Sequence, residues 1–138
     1  MIDTTTTAGR RAAQRLGAEL IAWLTTVRPD GQPQSSPIWF LWEDGEILLL
    51  SRADTPRPAN IRANPRVAFT LNTDAEGGDV VTFEGEARIV DGELPPATEA
   101  AYKAKYLGKI LEYGWDWEKM RRDYPLAIRI APTRVRLG

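Results

Sequence analysis

Neither histidine nor cysteine occurs in this sequence, and the two absences remove most ways a small protein does chemistry with its own side chains. Without them there is no Ser-His-Asp triad, no Cys-His pair, no imidazole or thiolate site for zinc or iron, and no disulfide framework. Long apolar runs are missing too: nothing approaches the roughly 20 residues that a membrane-spanning helix needs. Arg10 and Arg11 lie near the N-terminus with no apolar stretch behind them, so no secretory signal is read and a cytoplasmic protein is expected. Charge of one sign is scarce. A net charge of −1 supplies no overall positive field, which argues against a general nucleic-acid binder. No G-x-G-x-x-G, P-loop or G-x-S-x-G motif occurs either. An enzyme with this inventory leaves the hard chemistry to a bound organic cofactor, so neither a catalytic side chain nor a metal ligand is expected.

What is present describes one globular domain. The 138 residues are 43% apolar and 27% charged, enough for one core and too few for two. The domain is expected over residues 1–138, with 1–8 as a flexible tail. Arg10 to Leu16 has helical character through Ala12, Ala13 and Leu16. Glu19 to Val27 reads as a strand closed by Arg28-Pro29-Asp30-Gly31, which fits a type I turn. Strands follow over Gln34 to Trp42, Glu46 to Ser51, Arg66 to Thr73 and Val80 to Val90. In the last of these Val81, Phe83, Gly85, Ala87 and Ile89 share one face. The pattern then turns helical, over Ala97 to Tyr113 with a stop at Gly114, and again over Trp115 to Tyr124. Pro125 breaks this, and a final strand runs from Leu126 to Val135. Five strands, a helical excursion and a returning strand predict a mainly β, antiparallel barrel closed late in the chain.

The stretch from Ser36 to Arg66 is the centre of interest. Glu43-Asp44-Gly45 between two apolar runs is hairpin chemistry. After Ser51 the chain turns basic, with Arg52, Asp54, Thr55 and Arg57, and enters a short helix closed by Asn64-Pro65. Pro56 and Pro58 fit a helix start, where a missing N–H costs little. A helix N-terminus with guanidinium groups beside it suits a phosphate.

Four segments carry a resemblance: Leu24 to Pro33 (L-T-T-V-R-P-D-G-Q-P), Pro37 to Trp42 (P-I-W-F-L-W), Ser51 to Val67 (S-R…P-R-x-x-N-I-R-x-N-P-R-V), and Tyr124 to Arg136 (Y-P-L-A-I-R-I-A-P-T-R-V-R). With them the chain resembles the split β-barrel flavin- and deazaflavin-binding family that includes pyridoxamine 5'-phosphate oxidases. Within it the nearest likeness is to the actinobacterial branch of coenzyme F420-dependent oxidoreductases. The resemblance implies a homodimer with its site at the interface. It also implies an oxidoreductase passing hydride from reduced F420 to a small conjugated or quinone-like acceptor. An FMN-dependent oxidase or reductase of the same barrel, or a non-catalytic cofactor carrier, are the alternatives. Pyridoxamine phosphate oxidase activity itself is not expected, since it belongs to longer relatives with further substrate-binding segments.

Placed residue by residue, the resemblance implies that the cofactor ring lies along Ser36, Pro37, Ile38 and Trp39, largely on backbone groups. The anionic tail is implied at Ser51, Arg52, Thr55, Pro56, Arg57 and Asn60. Arg57 stands where relatives often have lysine, and Ala59 where a basic residue commonly precedes the Asn. Other features read as structure. Trp23, Trp39 and Trp42 read as core or dimer packing, and Arg62 and Arg66 as solvated charges. Tyr102 and Tyr106 form a packing stripe, and Lys103, Lys105 and Lys109 a solvated face. Tyr124 lies beside a break within reach of a pocket, but is read as packing. Along the second strand Trp39 and Leu41 face one way and Phe40 and Trp42 the other, one pair in the core and one toward ligand or partner.

Overall fold

A computed structural model describes residues 2–138. Its order is α1 (Thr7–Ala18), β1 (Ala22–Val27), β2 (Pro33–Ile38), β3 (Leu41–Glu43), β4 (Glu46–Ser51), α2 (Pro56–Ala63), β5 (Arg66–Leu71), β6 (Val81–Val90), α3 (Pro96–Glu112), α4 (Trp117–Asp123) and β7 (Leu126–Leu137). Helix α1 takes in Thr7 and Ala8, the last two residues of the expected tail, because the Thr6 side chain caps it by accepting from the Gly9 N–H. Met1 of that tail lies outside the described residues.

The seven strands form one sheet in the order β2-β1-β5-β6-β7-β4-β3. Every neighbouring pair is antiparallel. The expected continuous strand from Gln34 to Trp42 is the main correction. It breaks at Trp39-Phe40 into β2 and β3, which occupy opposite edges of the sheet. Two residues cannot span a flat seven-stranded sheet, whose neighbours lie about 4.8 Å apart. The sheet therefore curls until its edges approach, and Trp39-Phe40 is the corner of a mainly β split barrel.

Local chemistry explains the connections. The β3–β4 hairpin turns on Asp44 (φ 53°) and Gly45 (φ 74°), both in the left-handed region that a type I′ turn needs. The β1–β2 hairpin closes through the Gly31 N–H on the Arg28 carbonyl at 2.8 Å. Strand β6 alternates as expected: Val81, Phe83, Gly85 and Ala87 are buried, while Glu84, Glu86 and Arg88 are exposed. Its pairing with β7 shifts register between Glu84 and Gly85, where a Cβ would come within 2.8 Å of the Ala131 carbonyl oxygen. Replacing Gly85 with Ala is expected to cost about 1–3 kcal/mol by overpacking, read as a lower urea midpoint.

Two apolar clusters flank β4. Ile47 and Leu49 join Leu24, Phe40, Phe69, Phe83 and Ile128 inside the barrel. Leu48 and Leu50 face outward onto Tyr102, Tyr106, Ile110 and Met120 of α3 and α4. Burial on both faces is why this strand reads as an unbroken apolar run. Tyr102 and Tyr106 are packing residues, as expected. Arg129 of β7 donates to the Glu43 carboxylate at 2.8 Å, and Thr98 of α3 donates to the same oxygen at 2.8 Å. Among the described residues no helix is long and apolar enough to cross a membrane.

Lys105 departs from the solvated face expected for it. Its ammonium donates to the Phe40 carbonyl at 2.8 Å and sits 3.8 Å from the centre of the Phe40 ring. Burial lowers its pKa to about 8, with Glu19 opposing the shift. The unfolded chain keeps this proton to higher pH than the folded one. Folding stability is therefore expected to rise between about pH 8 and pH 10, by about 1 kcal/mol once its partial exposure is discounted. Chemical denaturation at both pH values tests this, and Lys105→Met should abolish the rise.

Candidate functional site

The sequence from Ser51 to Asn60 folds back under β2 because Pro56 and Pro58 start α2 at once and Asn64 ends it. This places Arg57, on the first turn of α2, against the middle of β2. Its guanidinium donates to Ser36 Oγ at 2.8 Å and more weakly to Ser51 Oγ at 3.5 Å. Asn60, one turn on and buried, donates to Thr26 Oγ1 and Gln34 Oε1, both at 3.1 Å. Pro56 and Pro58 carry no N–H, so of the first three helical residues only Arg57 offers a backbone donor. Thr55 does not cap the helix with its side chain.

Arg57 separates two concavities. On one side is a polar hollow of about 270 Å³ between Thr26, Gln34, Ser36, Thr55, Pro56 and Asn60. On the other is a largely apolar cleft of about 340 Å³ against Pro37, Ile38 and Trp39. The two share the Arg57 side chain. Arg57 is half-buried and, among the described residues, makes no ion pair with a carboxylate. Burial pushes its pKa down from the usual arginine value. A guanidinium taken partly out of water with only hydroxyl partners is an electrostatic deficit that an anion would cancel.

The structure brings together nearly all the residues singled out from the sequence. Ser36, Thr55, Pro56, Arg57 and Asn60 surround the polar hollow, Pro37, Ile38 and Trp39 line the cleft, and Ser51 lies buried beneath the Arg57 guanidinium. Arg52 stands apart. It is exposed, paired with Asp54 at 3.0 Å, and touches the rim through the Tyr124 ring, 5.8 Å from its guanidinium carbon. Arg62 and Arg66 are exposed, as expected. Of the aromatic pairs, Phe40 and Trp42 belong to the barrel interior, whereas Trp39 and Leu41 face the α3–α4 side. Trp23 is 43% exposed on the outer face of β1.

The far wall of the cleft was not assigned from the sequence. Tyr113, Trp115, Met120 and Tyr124 supply it. Tyr113 is 57% exposed, yet its ring stacks on Trp39 at 6.3 Å and meets Trp115 at 5.6 Å. The signal was a cluster of aromatics around the helix stop at Gly114 (φ 76°), where side chains leave helical periodicity. Tyr124, read as packing, lines the cleft as well.

No curated protein sequence matches this chain. Solved structures do. A conserved hypothetical protein of Mycobacterium tuberculosis, Rv2991, is 27% identical over 95% of this chain and 84% of its own, with a TM-score of 0.73. An F420 reductase is 27% identical over 89% of this chain and 94% of its own, with a TM-score of 0.65. HutZ, the heme storage protein of Vibrio cholerae, is 16% identical over 96% and 95%, with a TM-score of 0.74, a likeness of fold alone. The sequence pattern of pyridoxamine 5'-phosphate oxidase matches residues 9–137, which takes in every strand from β1 to β7. The curled antiparallel sheet and this match agree: the chain belongs to the pyridoxamine 5'-phosphate oxidase family of split β-barrels.

Proposed function

We propose that this protein is an oxidoreductase that holds reduced coenzyme F420 in the joined concavities and passes hydride to a small conjugated or quinone-like acceptor. The observation that carries the reading is Arg57, a half-buried cation without a carboxylate partner among the described residues, set between a polar hollow and an aromatic cleft. The residues fit such a cofactor in kind. The hollow offers a phosphate the guanidinium fork, the Arg57 N–H and the hydroxyls of Ser36 and Thr55. The cleft offers a flat ring an aromatic wall of Trp39, Tyr113 and Trp115 and the outer edge of β2, which pairs with β1 on its other side. When bound, the cofactor supplies the hydride. The chain's own work is to bind, orient and keep out water, which is consistent with its lack of histidine and cysteine. The 27%-identical F420 reductase supports this choice of cofactor.

FMN is the second reading. Arg52 is neutralised by Asp54, so the hollow holds one uncompensated cation, which is enough for a single phosphate. Haem is less suited, because histidine and cysteine are missing and only tyrosine or methionine is left to ligate iron. Titrating the protein with oxidised F420 and separately with FMN, followed by fluorescence, decides between the first two. Tight F420 and weak FMN binding supports the proposal, and FMN binding alone moves the protein to the flavin readings. Stoichiometric binding without turnover over a panel of acceptors makes it a carrier.

The reading includes a homodimer that completes the site. Trp23 and the open edge of β2 leave apolar and hydrogen-bonding surface for a partner copy. Sedimentation at micromolar concentration is expected to give twice the chain mass. A monomer would remove the shared site.

A further inference from the structure

The corner at Trp39-Phe40 lies between strands at opposite edges of the sheet, so its backbone groups have no ladder to join. Two consecutive residues of α3 supply what the ladder does not. Phe40 N–H donates to Tyr106 Oη at 2.8 Å, and Lys105 Nζ donates to the Phe40 carbonyl at 2.8 Å. With that carbonyl occupied, the single Tyr106 hydroxyl proton is best used on the Leu20 carbonyl at 2.7 Å, which satisfies every group. The Tyr106 ring meanwhile stacks on the Trp39 indole at 4.7 Å with the planes 4° apart. Trp39 is also a wall of the cleft. Neither Lys105 nor Tyr106 lines the cleft, and the direct contact of Tyr106 with a cleft wall on which the clamp acts is its stack on Trp39.

We propose that Lys105 and Tyr106 are positioning residues, clamping the Trp39-Phe40 corner so that the Trp39 indole is held at a set tilt against the ligand cleft. The clamp is part charge and part hydrogen bond. Besides the Phe40 carbonyl, the ammonium lies over the Phe40 ring at 3.8 Å and reaches the Leu16 carbonyl at the end of α1 at 3.5 Å. The titratable groups facing it are Glu19, which is ion-paired with Arg15, and Tyr106, whose burial raises its hydroxyl pKa. A neutral amine keeps two donors for the Phe40 and Leu16 carbonyls but loses its charge, and with it the attraction to the ring. The corner therefore loosens locally as Lys105 gives up its proton, even while relief of the buried charge favours the fold as a whole.

That the clamp serves a ligand site rests on the functional reading above, and the test keeps the two apart. Near-ultraviolet circular dichroism of the ligand-free protein reports the Trp39–Tyr106 stack as the signal lost in Trp39→Phe. It is expected to diminish as pH passes about 8, to persist at alkaline pH in Lys105→Arg, and to be weak at every pH in Lys105→Met. A signal that ignores both pH and Lys105→Met overturns the clamp. Binding of oxidised F420 is then measured over the same range. The wild-type dissociation constant should rise about threefold to tenfold, the worth of one net hydrogen bond, and that of Lys105→Arg should stay flat once the ligand's own titration is subtracted. A stack that responds to pH beside an affinity that does not would overturn the positioning role. Binding of neither F420 nor FMN would sink the functional reading instead, and the dichroism would still decide the clamp.

Discussion

Replacing Arg57 with Ala is expected to weaken F420 binding at least tenfold while leaving the fold as stable as before, or more so. A charge-assisted contact to phosphate is worth about 1.5–3 kcal/mol. Among the described residues Arg57 has no carboxylate whose loss would be felt, only Ser36 and Ser51 hydroxyls that water can reach once the side chain is gone. Burial without an ionic partner is itself a cost, so truncation relieves strain in the free protein and removes attraction in the complex. Affinity and stability should therefore move independently or in opposite directions. Fluorescence titration and urea unfolding of the same preparation read both. Arg57→Lys keeps the charge without the fork and should fall between wild type and Arg57→Ala. An unchanged dissociation constant in Arg57→Ala would take this residue out of the site.

Tyr106→Phe should act in the opposite sense, on stability first. The change keeps the ring that stacks on Trp39 and deletes only Oη. The buried Phe40 N–H then has no acceptor and the Leu20 carbonyl loses its donor. Leaving such groups unsatisfied costs about 2–3 kcal/mol in total, a large share of the stability of a domain this size. A lower urea midpoint with an unchanged slope is the expected result. A loss below about 0.5 kcal/mol would mean that water replaces the hydroxyl, and that the corner is open to solvent.

Much of this architecture was legible because its signals are local. The hairpin at Asp44-Gly45 follows from two residues that tolerate positive φ, and the strands at β4 and β6 follow from an apolar run and from alternation. The start of α2 is written in Pro56 and Pro58, and its proximity to the phosphate-suited arginine is a matter of one residue. What misled was also local. Gln34 to Trp42 carries uninterrupted strand character, because Trp39 and Phe40 are as fit for a strand as their neighbours. Nothing within nine residues announces that the chain must change edges there. Lys105 reads as one of three lysines on a polar face. Its neighbour Phe40 is 65 positions away in sequence, so its burial depends on where the corner docks.

The sequence by itself determined a mainly β, antiparallel barrel pattern, a chain without the histidine and cysteine that most side-chain chemistry uses, and a short basic helix entrance at Arg57. Those conclusions need only turn residues, periodicity and the absence of histidine and cysteine. Tertiary structure alone decided that Trp39 faces the cleft while Phe40 faces the core, and that Tyr113, Trp115 and Tyr124 close the far wall. It also decided that, among the described residues, Arg57 has no carboxylate partner while Arg52 has Asp54. Side-chain direction along a strand is fixed only up to a choice of face, and the partner of a buried charge is fixed only by closure of the barrel. Both are properties of the assembled sheet, settled when β2 and β3 take opposite edges.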